Sequence, residues 1–227
     1  SNVTDMGYMF ASANNFNQAL DNWDVSNVTT MELMFQKAIA FNHALDKWDV
    51  SNVTRMYGMF YGTTSFNQNI SSWIVSNVTN MSRMFLFARD FNQALNDWNV
   101  SNVTTMQSMF QSATNFNNGG QTLNKWDVSS VTNMYSMFYK ATSFNQALNG
   151  WNVGNVTDMR AMFSGTEEFN QALDKWDVSS VTNISGMFED AEEFNQALNN
   201  WDVSSVKYMD YMFAGASKFN QALDKWD

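Results

Sequence analysis

The tryptophans recur at Trp23, Trp48, Trp73, Trp98, Trp126, Trp151, Trp176, Trp201 and Trp226, at intervals of 25 residues broken by a single interval of 28. A period this short is the mark of a repeat array, in which each unit is too small to bury its own apolar face and must stack on its neighbours. The chain of 227 residues divides into nine units, beginning at residues 1, 26, 51, 76, 101, 129, 154, 179 and 204. Their shared pattern is S-N-V-T-x-M-x-x-M-F-x-x-A-x-x-F-N-Q-A-L-x-x-W-D-V, with Gly154 in place of the first serine once. All 17 methionines occupy its sixth and ninth positions, and 18 of 19 phenylalanines its tenth and sixteenth. The Met and Trp richness is therefore a core motif copied nine times, and gives no reason to expect a copper site or an aromatic cofactor pocket.

What the pattern leaves out excludes several functions. There is no cysteine, which removes disulfides and thiolate chemistry, and one histidine, His43, which removes histidine metal clusters and leaves few schemes of general base catalysis. A net charge of −10 argues against a nucleic-acid partner. No apolar run is long enough to span a membrane, and no signal-peptide pattern opens the chain. No cofactor is implied.

Local spacing predicts one helix and one strand per unit. Met31, Met34, Phe35 and Ala38 follow the i, i+3, i+4, i+7 rule of a helical core stripe, with Thr29 as N-cap and Glu32 completing a capping box. This predicts a helix from about the fifth to the fourteenth position. Lys47-Trp48-Asp49-Val50 alternates polar and apolar, as a short strand does, with Trp48 and Val50 facing in. The expected fold is an α/β solenoid: a leucine-rich-repeat-like stack of nine strand-helix turns in one domain over residues 1–227. Its parallel strands would lie on one side and line a concave face.

The string Trp23-Asp24-Val25-Ser26-Asn27-Val28-Thr29, followed by Met31, Met34-Phe35 and Phe41-Asn42, resembles the surface-protein repeat of Mycoplasma-type lipoproteins and lactic-acid-bacterial wall proteins. That group is similar to the BspA-like branch of leucine-rich repeats. The resemblance covers all nine units and implies a surface-exposed, adhesion-associated protein with no catalytic residues to carry over. Trp-x-Val stands where that branch has Leu-x-Leu. Both ends fall within repeats lacking the atypical polar units that usually cap such arrays, so a segment of a longer protein is expected.

Invariant polar columns read first as scaffolding. The asparagine after each second Phe (Asn17, Asn42 and their equivalents) suits a side-chain ladder between units, and the Asp or Asn after Trp suits an Asx-turn into the next serine. The Asn-Val-Thr triplets match the glycosylation sequon and resemble the hydroxyl arrays of ice-binding solenoids, yet they also lie where helix caps are needed.

Partner choice must then rest on the positions that vary. Tyr57 and Tyr61, and likewise Tyr135 and Tyr139, are i, i+4 pairs at the seventh and eleventh positions, and Leu86 and Phe87 break the polar pattern between them. These six are the candidate binding residues. Glu167, Glu168, Glu192 and Glu193 repeat at the same two positions of adjacent units and form a weak cation candidate, without the spacing of an EF-hand loop. Three extra residues within Asn117-Asn118-Gly119-Gly120-Gln121-Thr122 predict a bulged turn on the rim. The expected function is a non-enzymatic recognition or adhesion module, at the cell surface or secreted, that binds a host or matrix protein or a surface glycan. A passive spacer is the first alternative, and an ice- or cation-binding solenoid the second. An enzyme using the Glu167 and Glu192 carboxylates comes last.

Overall fold

A computed structural model describes residues 2–226. Successive units stack in parallel register. One residue per unit, at the fifth position, forms a parallel bridge to its equivalent in the next, and eight such bridges run from Asp5↔Thr30 to Asn183↔Tyr208. The units nevertheless contain neither the predicted helices nor the predicted strands. Among the described residues the only helical element is a three-residue 3-10 turn, Asn118–Gly120, and no bridge extends into a strand. The α/β solenoid of strand-helix turns, and with it the leucine-rich-repeat architecture, is overturned.

The segment read as a helix is a ribbon of tight turns. Met31, Leu33, Phe35 and Lys37 donate their backbone N–H groups to Arg55, Tyr57, Met59 and Tyr61 of the next unit, at 2.7–3.0 Å. The alternate N–H groups turn inward, Met34 to Met31, Gln36 to Leu33 and Ala38 to Phe35, each three residues back. An α-helix capped at Thr29 would have turned the donors from Leu33 onward back within the unit, to carbonyls four residues earlier. The eighth and twelfth positions of each unit have positive φ, at Leu33 (55°), Lys37 (55°), Gly58 (56°) and Gly62 (68°) for example, as the third residue of a type II turn requires. Consecutive four-residue turns bring their first and last residues inward, at positions 6, 9, 10 and 13. That is the same i, i+3, i+4, i+7 spacing as a helical stripe, so the apolar pattern could not separate the two. Thr29 caps no helix: its N–H and hydroxyl donate to the Thr4 carbonyl below, at 2.8 and 3.2 Å. Glu32, the other half of the expected capping box, accepts from Arg55 at 2.9 Å.

Positive φ costs an L-residue about 1–2 kcal/mol, and each unit has two such positions. Against that, an interior unit such as 26–50, where Leu33 and Lys37 bear the cost, buries Met31, Met34, Phe35, Phe41 and Trp48, each worth about 1.5–3 kcal/mol. Burial wins, but only when a neighbour lies above and below.

The Trp-Val segment alternates as predicted, with Trp48 and Val50 buried and Lys47 and Asp49 exposed, but its backbone pairs with no other unit among the described residues. Side chains make the link there. Trp48 Nε1 donates to the Leu20 carbonyl of the unit below at 2.9 Å, and every later tryptophan repeats the bond. Ring separations between successive units are 5.6 Å for Phe35 and Phe60, 6.0 Å for Phe41 and Phe66, and 6.4 Å for Trp73 and Trp98. Pure translation would move all three columns equally, so each unit is also rotated on the last. The units splay toward the tryptophans and close up at the bridged edge, where paired backbones lie about 4.8 Å apart. The predicted arrangement, with Trp-Val on the tight side, is reversed.

The polar columns complete the scaffold. Each asparagine after the second Phe accepts at Oδ1 from the N–H of its equivalent above, as Asn42 does from Asn67 at 3.0 Å, and the glutamine beside that equivalent adds a second bond, Gln68 to Asn42 at 2.9 Å. In the long unit, buried Asn118 replaces the glutamine, accepting from Leu95 N–H and donating to the Gln121 carbonyl, both at 2.7 Å.

Candidate functional site

With the invariant columns committed to stacking, the side chains the ribbon leaves free are the ones open to a partner. The twelfth and fourteenth positions of the fourth to eighth units line an open groove of about 610 Å³, formed by Phe87, Arg89, Ser112, Thr114, Lys140, Thr142, Gly165, Glu167, Asp190 and Glu192. Its backbone is fixed along both columns. Phe87, Ser112, Lys140, Gly165 and Asp190 donate N–H groups to the next unit at 2.7–2.8 Å, and the carbonyls of Arg89, Thr114, Thr142, Glu167 and Glu192 accept from the unit above at 3.1–3.3 Å. Four inter-unit steps give the groove a length of about 19 Å, enough for an extended segment of about six residues. Its charges are sorted: Arg89 and Lys140 toward one end, Glu167, Asp190 and Glu192 toward the other. Gly165 keeps the middle open, since a Cβ there would meet Lys140 Cγ at 3.0 Å.

The structure divides the six predicted binding residues. Phe87 is 37% exposed on the groove, with the Tyr61 ring 6.2 Å away. Tyr139 lies beside it, its ring 5.3 Å from the Lys140 ammonium. Tyr57 and Tyr135 lie in the seventh column instead. Arg83 donates to the Tyr57 hydroxyl at 2.8 Å, and the Arg160 guanidinium lies 4.7 Å from the Tyr135 ring centroid. Leu86 is 7% exposed and presents almost nothing to a partner. The helical face imagined for the tyrosine pairs does not exist, although the four-residue turn period still places each pair at equivalent ribbon positions.

The four glutamates of the cation reading also part company. Glu167 and Glu192 line the groove, whereas Glu193 is held by Lys218 Nζ at 2.6 Å. Among the described residues no group of three or more His, Asp or Glu side chains is placed to hold a metal ion. Arg89, Lys140, Thr142 and Asp190 were missed as candidates. Their signal was present, since the twelfth position, which holds Lys140 and Asp190, runs through Ser12, Lys37, Gly62, Phe87, Ser112, Lys140, Gly165, Asp190 and Gly215, and the fourteenth, which holds Arg89 and Thr142, varies as widely, from Asn14 and Ile39 to Glu167 and Ser217.

The aspartates after Trp make the Asx-turns that the sequence suggests. Asp127 Oδ1 accepts from the Ser129 hydroxyl at 2.6 Å and its N–H at 3.0 Å. Donation by the serine hydroxyl, and then by its N–H, holds the carboxyls of Asp49, Asp127, Asp177 and Asp202 below the usual range. Since the folded-state values are depressed, the stability they contribute is full above the ordinary carboxylate pKa of about 3.9 and is lost as pH falls through the folded values. The unfolding temperature should therefore drop on acidification below about pH 4. The quadruple Asp→Asn variant, which copies Asn99 and Asn152, should show a shallower drop; an equal slope in both proteins would refute the assignment.

Among the described residues no helix is long and apolar enough to cross a membrane. A comparison with curated proteins found no match. The sequence pattern of one family fits the chain three times in overlapping stretches, over residues 1–89, 69–171 and 147–227. Nine stacked copies of one motif and a match along their whole length lead to the same place: the chain belongs to the family described as "Mycoplasma protein of unknown function, DUF285".

Proposed function

We propose that this chain is a non-enzymatic recognition module of a bacterial surface protein, and that the groove over the twelfth and fourteenth columns receives an extended protein segment. The observation that supports this most is the sorting of charge along a rigid trough, from Arg89 and Lys140 to Glu167, Asp190 and Glu192. A peptide in extended form can match such a gradient with side chains of its own, acidic opposite the first pair and basic opposite the second, whereas a neutral glycan would leave it unanswered. Opposed charges of this kind favour encounter and fix register more than they add affinity. Exposure at the cell surface, through a lipoprotein or wall anchor, rests on the resemblance to the surface repeats of the BspA-like group and on membership of the Mycoplasma family. Catalysis fits less well, because an acid-base pair needs two carboxyls in different surroundings, and Glu167 and Glu192 occupy equivalent places in the same trough.

Selection from a random displayed-peptide library tests the reading. Enriched peptides should carry an acidic block followed or preceded by a basic one. The Arg89→Glu/Lys140→Glu variant should lose them by at least about tenfold, the equivalent of 1.4 kcal/mol, and select peptides basic along both blocks instead, because its groove is then acidic throughout. Enrichment indifferent to these substitutions, or none at all, would favour the spacer.

A further inference from the structure

We infer that the partner segment carries a large apolar side chain, seated in a notch that Ile39, Tyr61, Gly62 and Phe87 form at the basic end of the groove, so that the segment reads apolar, acidic, basic along the stack. This anchor presupposes the peptide groove proposed above and extends it by two units. Away from the first and last units, three large apolar side chains are exposed among the described residues: Ile39, Ile74 and Phe87. Ile74 belongs to the Trp-Val segment, whereas Ile39 and Phe87 lie on the ribbon, in the fourteenth column of the second unit and the twelfth of the fourth.

The stack requires neither side chain. Every other unit fills these positions with glycine or a polar residue: Ser, Lys, Asp or Gly in the twelfth column, and Asn, Thr, Arg, Glu or Ser in the fourteenth. Phe87 takes a positive φ of 57°, with the cost that this brings to an L-residue, and is still 37% exposed, while Ile39 is 47% exposed. A serine holds the same turn at Ser112, with φ of 56°. Folding therefore gains little from a ring at this place, and strain kept without full burial is a mark of use.

Between the two, the third unit places only Gly62 and Thr64 in these columns. Ile39 and Phe87 thus stand on either side of a dip, two inter-unit steps or about 10 Å apart along the stack. Its floor is apolar, since the stem of Lys37 lies over Gly62, where a Cβ would meet Lys37 Cγ at 3.3 Å. The Tyr61 ring, 6.2 Å from that of Phe87, forms the rim. The walls are fixed by backbone bonds, Gly62 N–H to the Leu86 carbonyl at 2.7 Å and Phe87 N–H to the Gln111 carbonyl at 2.8 Å. A flat aromatic side chain suits such a place, apolar below and lined by rings. Charge decides what flanks it. From the second unit to the sixth the two columns hold Lys37, Arg89 and Lys140 and no acid, and none of the three pairs with a carboxylate among the described residues. The acidic block of the partner therefore follows the anchor directly, and its basic block lies beyond, over Glu167, Asp190 and Glu192. From Ile39 to Glu192 the trough spans six inter-unit steps, about 29 Å, or about nine residues of extended chain.

Labelled peptides of about nine residues, each with one tryptophan, an acidic block and a basic block, test this by fluorescence anisotropy against the 227-residue chain. Every order is made in both chain directions. Tryptophan at the outer end of the acidic block should tighten binding at least about tenfold over the same peptide with serine there, and tryptophan at the outer end of the basic block should add little. Phe87→Ser and Ile39→Thr, which copy Ser112 and Thr64, should each reduce the ratio between the tryptophan and serine peptides toward one. The unfolding temperature shows whether each variant is folded, and Ile39→Thr carries the comparison alone if Phe87→Ser is not. A tryptophan that adds nothing at the acidic end, or a gain that persists in the variants, overturns the anchor while charge-dependent binding of the serine peptide leaves the groove standing. If no charged peptide binds in any order, groove and anchor fall together.

Discussion

Truncation of Phe110 to alanine should destabilise the protein by about 3–5 kcal/mol, whereas the same change at Phe219 should cost markedly less. Phe110 is fully buried in the fifth unit and stacks on Phe85 at 5.5 Å, Phe116 at 3.8 Å and Phe138 at 5.7 Å. Phe219 has equivalent chemistry but only Phe194 below it, at 6.0 Å, and Phe213 beside it, at 4.0 Å. In a linear array each unit is supported only by its neighbours. A defect in the middle therefore weakens the coupling of the four units on either side, while a defect at the end costs local order. Thermal and urea unfolding should show the Phe110 variant melting in two steps or over a broadened range, with the Phe219 variant keeping a single sharp transition. Equal losses at the two sites would contradict nearest-neighbour stacking.

A second substitution set separates the observed ribbon from a helix by the sign of its effect. Ser108, Ser112 and Ser136 have φ of 54°, 56° and 54°, where a Cβ is strained and glycine is not. The triple Ser→Gly variant should gain about 0.5–1 kcal/mol per site, relief of strain less the entropy glycine adds to the unfolded chain, or roughly 2 kcal/mol in all. On a helix, each serine to glycine change would lose up to about 0.5 kcal/mol. An increase in the urea midpoint supports the ribbon; a decrease would restore the helical reading.

The glycines had signalled this conformation. Five of the ten lie at the eighth or twelfth position of a unit, at Gly58, Gly62, Gly165, Gly186 and Gly215, and all five have positive φ. A helix has no use for glycine at two fixed interior positions. The signal was diluted because thirteen other residues, among them Leu33, Arg83 and Phe87, hold the same conformation without glycine's freedom. The groove was obscured for a related reason. Reading the ribbon as a helix directed attention to the seventh and eleventh positions, where Tyr57, Tyr61, Tyr135 and Tyr139 make regular pairs. The trough runs along the twelfth and fourteenth, which would lie some 200° apart around a helix but neighbour one another here.

The amino-acid sequence by itself determined the number of units, their register, and which side chains face inward, because those depend only on where apolar residues recur. It also determined the asparagine ladder and the Asx-turns of the aspartates, since either side chain at a chain reversal has few backbone partners within reach. Only the tertiary structure decided where the backbone N–H groups go. A donor at Phe35 can bond four residues back in its own unit or cross to Met59 in the next, and both choices leave the same methionines and phenylalanines inside. The crossing bond exists only when another unit lies about 4.8 Å away. Its contribution is therefore a property of the assembled stack, and no stretch of 25 residues taken alone expresses it.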